Sequence, residues 1–206
     1  MRLADYLFIP KGMVKNTNLV SHALALSGFF IALVLLAACS SSPDALKATD
    51  KKIELNRFMG DWYVIGSIPI DYFFASEAGG HNAVESYALK EDGSIDTRYR
   101  FRQDSFDGPL KSFNPTAFVY NTETNAEWRM QFLWPFKSTY LIVYLSDDYS
   151  QTIIGVPNRD YIWIMSRTPD VSEDEYQRLL QLAVAAGYDP EPIVRIPHAW
   201  PEATEE

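Results

Sequence analysis

The sequence contains a single cysteine, Cys39, among its 206 residues. One cysteine cannot form a disulfide bond within the chain, and it excludes the zinc and redox motifs that need several cysteines. Histidine is scarce as well, with three in the chain, and no His-x-x-x-His pair, phosphate-binding loop or Gly-x-Ser-x-Gly motif is present. We therefore predict a protein that is not an enzyme, with no catalytic residue, no metal site and no cofactor.

Basic residues are too few for a protein that binds nucleic acid. Lys and Arg number 18 against 27 Asp and Glu, and the formal net charge is −9. Because DNA and RNA are polyanions, they would be repelled by such a surface, and we expect no nucleic acid partner. Hydrophobic residues make up 47% of the chain, which is enough to bury a core.

Long apolar runs are absent except near the N-terminus. Residues 23–38 are apolar apart from Ser27 and Gly28, and they follow Lys11 and Lys15. The run is shorter than the roughly 20 residues that a membrane-spanning helix needs. A short apolar segment after basic residues is typical of a signal peptide.

The end of this run, Leu36-Ala37-Ala38-Cys39, resembles the lipobox of bacterial lipoproteins. In that family the cysteine becomes the first residue of the mature chain and carries acyl chains such as palmitate. The resemblance implies a signal peptide at residues 1–38, lipid attachment at Cys39 and a lipidated tether at residues 39–52. Ser40 in place of Asp implies sorting to the outer membrane, with the folded body facing the periplasm. A transmembrane anchor with an incidental cysteine is the alternative.

From Phe58 onward apolar and polar residues alternate, as in β-strands with one dry face. Residues 95–102 are the clearest case, because the even-numbered residues are charged and the odd-numbered ones are apolar or Thr. Asp92-Gly93, just before this strand, is a strong hairpin signal. The eight predicted strands are residues 62–68, 81–90, 95–102, 116–121, 126–132, 139–145, 151–156 and 161–167.

One amphipathic helix follows the strands. Ser172 and Glu175 match a capping box, the apolar residues after them recur at helical spacing, and Gly187 is suited to end the helix. A short final strand at residues 193–196 and a frayed tail at residues 201–206 complete the chain.

These elements predict an all-β fold, an eight-stranded antiparallel up-and-down β-barrel with one C-terminal α-helix packed outside and a short final strand. Closure of a barrel removes exposed strand edges. The short turns between consecutive strands favour this meander over a Greek-key sandwich, which is the alternative. A barrel of eight strands is wide enough to hold one small ligand.

Three short motifs resemble the signatures of the lipocalin family. The matching residues are Gly60 and Trp62 for its Gly-x-Trp motif, Asp160 and Tyr161 for its Thr-Asp-Tyr motif, and Arg167 for the arginine at the end of the last barrel strand. Arg159 stands where the family has Thr. Residues 157–169 are similar to the bacterial branch of the family. The resemblance covers residues 55–196, and we interpret residues 53–200 as a lipocalin barrel domain with its helix.

The resemblance implies structural roles for the signature residues. Trp62 would close one end of the barrel, and Arg167 would lie flat on its indole ring in a cation–π contact. It also implies a small hydrophobic ligand in the barrel, and the bacterial branch points to lipids of the cell envelope.

Strand parity selects the residues that are expected to face a ligand. The candidates are Tyr87, Tyr99, Phe101, Trp128, Met130, Phe132, Tyr140 and Trp163. Large aromatic side chains with a few polar tips suit an acyl chain with a polar head. Residues 69–80 and 133–136 could gate the mouth, where Lys137 is the nearest cation for a headgroup. We therefore predict a fatty acid or lysophospholipid as the partner, bound for lipid transport or storage.

Two alternatives stay open at this point. The same side chains could simply fill the barrel, which would leave an interaction protein of the cell envelope, or the barrel could hold a lipid-modifying enzyme. Exposed aromatic residues near the mouth could also form the contact surface of a homodimer.

Overall fold

The computed structural model describes residues 45–72 and 75–201. The predicted signal peptide, the attachment site Cys39, the first part of the tether and residues 202–206 lie outside the described residues.

Twelve strands and two helices are present in the described ranges. The strands are β1 (Gly60–Ile68), β2 (Asp71–Tyr72), β3 (Ala75–Ser76), β4 (Gly80–Leu89), β5 (Ser94–Gln103), β6 (Leu110–Phe113), β7 (Thr116–Val119), β8 (Glu127–Leu133), β9 (Phe136–Leu145), β10 (Gln151–Gly155), β11 (Ile162–Ser166) and β12 (Val194–Arg195). The helices are α1 (Leu55–Phe58) and α2 (Glu173–Ala185).

Eight of these strands form a closed antiparallel barrel, which confirms the predicted fold class. The order is β1, β4, β5, β7, β8, β9, β10 and β11, and β11 pairs back onto β1. Two further strands join the sheet, since β6 pairs with β5 and β12 pairs with β1. Strands β2 and β3 form a separate small hairpin. The sequence pattern did not predict β2, β3, β6 or α1, because all four are short and carry no clear periodicity.

The barrel wall is interrupted beside β6. Both β6 and β7 pair with β5, and the two are separated by Asn114 and Pro115. Proline has no N–H for the ladder, and the Pro115 carbonyl accepts bonds from Thr97 instead, from N at 3.2 Å and from Oγ1 at 2.5 Å. Within the described ranges β7 pairs with β8 but β6 does not. The wall therefore has a gap between β6 and the end of β8.

Helix α2 packs on the outside of the barrel, as predicted. Its buried residues Tyr176, Leu179 and Ala183 share a cluster with outward-facing isoleucines of β1, β10 and β11. The capping box is confirmed, because Ser172 Oγ accepts from Glu175 N at 3.3 Å and Glu175 Oε2 accepts from Ser172 N at 3.1 Å. The strands beneath are covered on both faces, which explains their continuous apolar sequences.

A second cluster of buried residues lies inside the barrel and closes one end of it. Trp62 is fully buried, and its Nε1 donates to the carbonyl of Phe58 at 2.8 Å. The guanidinium carbon of Arg167 lies 3.7 Å from the centroid of the Trp62 ring. Arg167 also donates to the carbonyls of Arg57, Phe58 and Met59, each at 2.9 Å, so it caps the end of α1. Burial lowers the pKa of Arg167 to about 10, so the residue stays charged at neutral pH.

Candidate functional site

A cavity of about 1010 Å³ lies inside the barrel above this closed end. Five of the residues that strand parity selected line its wall, namely Tyr99, Met130, Phe132, Tyr140 and Trp163. They come from β5, β8, β9 and β11, so the wall is assembled from strands that are far apart in the sequence. The signature residue Tyr161 also lines the cavity.

The other three selected residues point inward but lie beneath or beside the cavity. Tyr87 and Trp128 are buried in an aromatic floor, where both rings lie 5.5 Å from that of Phe58. The Tyr87 hydroxyl is hydrogen-bonded to that of Tyr140, and the Trp128 ring stacks on the Tyr140 ring with their centroids 5.9 Å apart.

Phe101 lies beside the cavity, fully buried between Tyr99 and Phe113. None of the three is on the cavity wall.

The mouth of the cavity is apolar and exposed. The turn between β8 and β9 presents Phe132, Leu133, Trp134 and Phe136, whose exposures range from 58% to 81%. Lys137, the expected headgroup partner, holds its ammonium 3.7 Å from the centroid of the Phe118 ring. Of the other expected gate, Phe73 and Phe74 lie outside the described residues.

Two buried carboxyls in the cavity were missed by the sequence interpretation, which named no acidic residue among the ligand-facing candidates. Glu77 and Glu85 both line the cavity and are 7% and 6% exposed. Glu77 Oε2 accepts from Trp163 Nε1 at 3.2 Å and from Ile70 N at 3.4 Å. A signal for Glu85 was available, because it lies two residues before Tyr87 and so shares the inward face of the same strand.

Burial makes both carboxyls unusually weak acids. It raises the pKa of Glu77 from 4.5 to about 7, although the hydrogen bonds from Trp163 and Ile70 act in the opposite direction. Burial and the charge of Glu77 raise the pKa of Glu85 from 4.5 to about 8. Burial also raises the pKa of the Tyr99 and Tyr140 phenols well above 10. At neutral pH the two carboxyls are therefore only partly ionised.

The remaining signature residues shape turns. Gly60 has a φ of +94°, a conformation that glycine adopts without strain, and a side chain there would contact Arg167. Asp160 is hydrogen-bonded to Asn158 in the turn before β11. Arg159, which replaces the family's Thr, donates from Nε to the carbonyl of Ala186 at 2.9 Å. Its guanidinium thus caps the C-terminal end of α2, which gives this departure from the family motif a structural role.

Neither helix in residues 45–72 and 75–201 is long and apolar enough to cross a membrane. The same residues contain no group of three or more His, Cys, Asp and Glu side chains that could hold a metal ion.

The sequence of the barrel domain is similar to those of known proteins. The family model for a lipocalin-like domain matches residues 53–198. The outer membrane lipoprotein Blc of Escherichia coli (strain K12) is 29% identical over 160 residues, which cover 77% of this chain and 87% of that protein. The protein of the same name from Vibrio cholerae is 27% identical over 164 residues, covering 79% of this chain and 92% of that protein.

A solved structure agrees at the level of the fold. The cockroach allergen Per a 4 superimposes with a TM-score of 0.56 at 15% sequence identity, covering 76% of this chain and 96% of the allergen. At this identity the likeness concerns the barrel architecture alone.

Proposed function

Since this chain belongs to the lipocalin-like domain family, in its bacterial branch, we propose that its barrel binds a single-chain lipid for transport or storage in the cell envelope. The lipid class is a fatty acid or a lysophospholipid. The observation that carries the proposal is the cavity of about 1010 Å³, lined largely by aromatic and apolar side chains and open at an apolar mouth.

The energetics of an acyl chain support this choice. Each methylene transferred from water contributes ~0.8 kcal/mol, so burying about fourteen of them contributes ~11 kcal/mol. Subtracting the lower estimate of the association cost, ~4 kcal/mol, leaves a Kd on the order of 10 μM. One chain suffices for this affinity, and an eight-stranded barrel holds one small ligand.

The polar groups of the cavity orient such a lipid. A carboxylate or phosphate deep in the barrel would meet the carboxyls of Glu77 and Glu85, and no Lys or Arg of residues 45–72 and 75–201 lines the cavity. We therefore place the acyl chain in the barrel and the anionic headgroup at the mouth. Lys137, whose ammonium is held against Phe118, does not line the cavity.

Titration with a lysophospholipid should shift the tryptophan fluorescence to shorter wavelength and saturate at one lipid per chain. Trp163 reports the binding because it lies on the cavity wall, whereas Trp200 packs against Tyr63 and His198 and does not line the cavity. Replacing Trp163 by Phe should remove much of the response, and Trp200→Phe should leave it unchanged. An unchanged emission spectrum, together with no bound lipid in native mass spectrometry, would instead support the filled-barrel alternative.

We also propose that Cys39 is acylated and holds the barrel on the outer membrane, facing the periplasm. The lipobox-like sequence supports this, as do the relatives named as outer membrane lipoproteins. Two or more acyl chains are needed for stable attachment to a membrane. Cys39→Ser should therefore move the protein from the membrane fraction to the soluble periplasmic fraction with its barrel folded. Unchanged partitioning into the detergent phase would contradict lipid attachment at this residue.

A further inference from the structure

We propose that the barrel interior contains a second recognition element, an ammonium-binding site formed by the carboxyls of Glu77 and Glu85 and the aromatic rings beside them. It would accept amphiphilic amines, in which a protonated primary amine is attached to a single apolar chain. The inference rests on the proposed function, because the chain of the amine would occupy the same cavity. It adds a ligand class whose polar end enters the barrel rather than staying at the mouth.

Glu85 carries the geometric argument. Its side chain is 6% exposed, lines the cavity and has no hydrogen-bond partner among the described residues. Buried polar groups in folded proteins are nearly always hydrogen-bonded, and this carboxyl can find a partner only in the cavity that it faces. A structure that retains such a group facing an open cavity is suited to a ligand that supplies the missing donor.

Glu77 provides a second acceptor for the same donor. Its two hydrogen bonds, from Trp163 and from Ile70, both reach Oε2. Among the described residues no donor reaches Oε1 of this carboxyl. An ammonium group has three N–H donors, which is more than one carboxyl needs, and the two carboxyls are close enough to interact electrostatically.

The groups around the two carboxyls complete a site for a cation. Glu77 and Glu85 interact electrostatically with each other. The other titratable groups that interact with them are three phenols that stay neutral, Tyr87 on β4, Tyr99 on β5 and Tyr140 on β9. No arginine or lysine in residues 45–72 and 75–201 contributes to the shifts of either carboxyl. The rings of Tyr140 and Trp163, whose centroids are 6.0 Å apart, offer faces for cation–π contact.

The charge balance gives the site a defined pH dependence. The pKa of Glu77 is raised to about 7 and that of Glu85 to about 8. An alkylammonium, with a pKa of ~10, favours the ionised carboxyls and displaces their protons to solvent. Affinity for the amine should therefore rise as the pH rises through this range and should fall in acid, where both carboxyls are protonated.

The test compares dodecylamine with dodecanol, which has the same chain and no charge. At about pH 8.5 the purified wild-type protein should bind the amine at least about tenfold more tightly than the alcohol. At about pH 5.5 this preference should disappear, because the carboxyls are protonated. Calorimetry in two buffers of different ionisation enthalpy should show about one proton released per amine bound near neutral pH.

Glu85→Gln is the informative variant because it keeps the shape of the side chain and removes its charge. It should reduce the preference for dodecylamine over dodecanol to less than about threefold, with both affinities measured in the same variant. Dodecanol binding thus verifies that the cavity is intact. Glu77→Gln should reduce the preference less, since that carboxyl already has two donors.

The outcomes separate the two proposals. Equal affinity for amine and alcohol in the wild-type protein at alkaline pH would overturn the ammonium site and leave lipid binding intact. Binding of neither dodecanol nor a lysophospholipid would overturn the proposed function itself. A preference for the amine that persists when both Glu85 and Glu77 are replaced by Gln would show that these carboxyls do not form the site.

Discussion

Trp62→Ala should lower the free energy of unfolding by ~3–5 kcal/mol, the range expected when a buried tryptophan is removed from a core. Trp62 is fully buried at the closed end of the barrel, where its ring packs 5.1 Å from that of Phe58 and beneath the guanidinium of Arg167. Its loss leaves a cavity and removes the hydrogen bond to the Phe58 carbonyl. Urea denaturation followed by circular dichroism measures the effect.

A matched control is available in Trp134→Ala. Trp134 is 81% exposed on the β8–β9 turn, so the same substitution there should change the stability by less than ~0.5 kcal/mol. If the two variants are equally stable, Trp62 does not close the barrel as the structure indicates.

Arg167→Ala extends this test to the partner of Trp62. The free energy of unfolding lost in the double variant should be ~1 kcal/mol smaller than the sum of the two single losses, because the cation–π contact can be lost only once. Arg167 also bonds to three carbonyls at the end of α1, so its own substitution should be destabilising even without Trp62. Strictly additive effects would mean that the two side chains do not interact.

Met130→Glu should abolish lipid binding and leave the barrel folded, with an increase in Kd of at least about a hundredfold. Met130 is 3% exposed and lines the cavity, with its sulfur 3.6 Å from the Thr97 hydroxyl. A carboxyl at this position must either lose its hydration against an acyl chain or keep water in the space that the chain needs. Titration with a lysophospholipid measures binding, and thermal unfolding checks the fold.

Gln131→Glu is the corresponding control. Residue 131 is the next residue on β8 and faces the opposite side of the strand, so the same carboxyl there should leave the affinity within about twofold of wild type. Met130→Glu should also lose dodecanol, in contrast to Glu85→Gln, because it obstructs the chain rather than the amine. A folded Met130→Glu protein that binds lysophospholipid like wild type would remove this face of β8 from the site.

The sequence interpretation was most successful where a local rule decides the structure. Alternation in residues 95–102 predicted which face of β5 is dry, Asp92-Gly93 predicted the hairpin before it, and Ser172 predicted the start of α2. Each of these depends on neighbours within a few residues, so no distant contact can change it.

The interpretation was incomplete where depth along the barrel matters. Parity predicted Tyr87 and Trp128 as inward, and both are buried inside the barrel, yet they belong to the floor rather than to the cavity wall. Parity states the side of a strand on which a residue lies and contains no information about its height. Glu85 was missed for a related reason, because its type favoured solvent although its position favoured the interior.

The sequence by itself determined the strand faces, the turns, the capped helix and the family signatures, since these depend on residue type and short spacing. Only the tertiary structure decided which inward side chains leave a space and which fill it. The volume at each level of a barrel depends on residues from several strands, such as Tyr99, Met130 and Trp163, that meet only when the sheet closes. Closure also placed Glu77 and Glu85 together out of water, and that burial, rather than any local motif, gives them their unusual acidity.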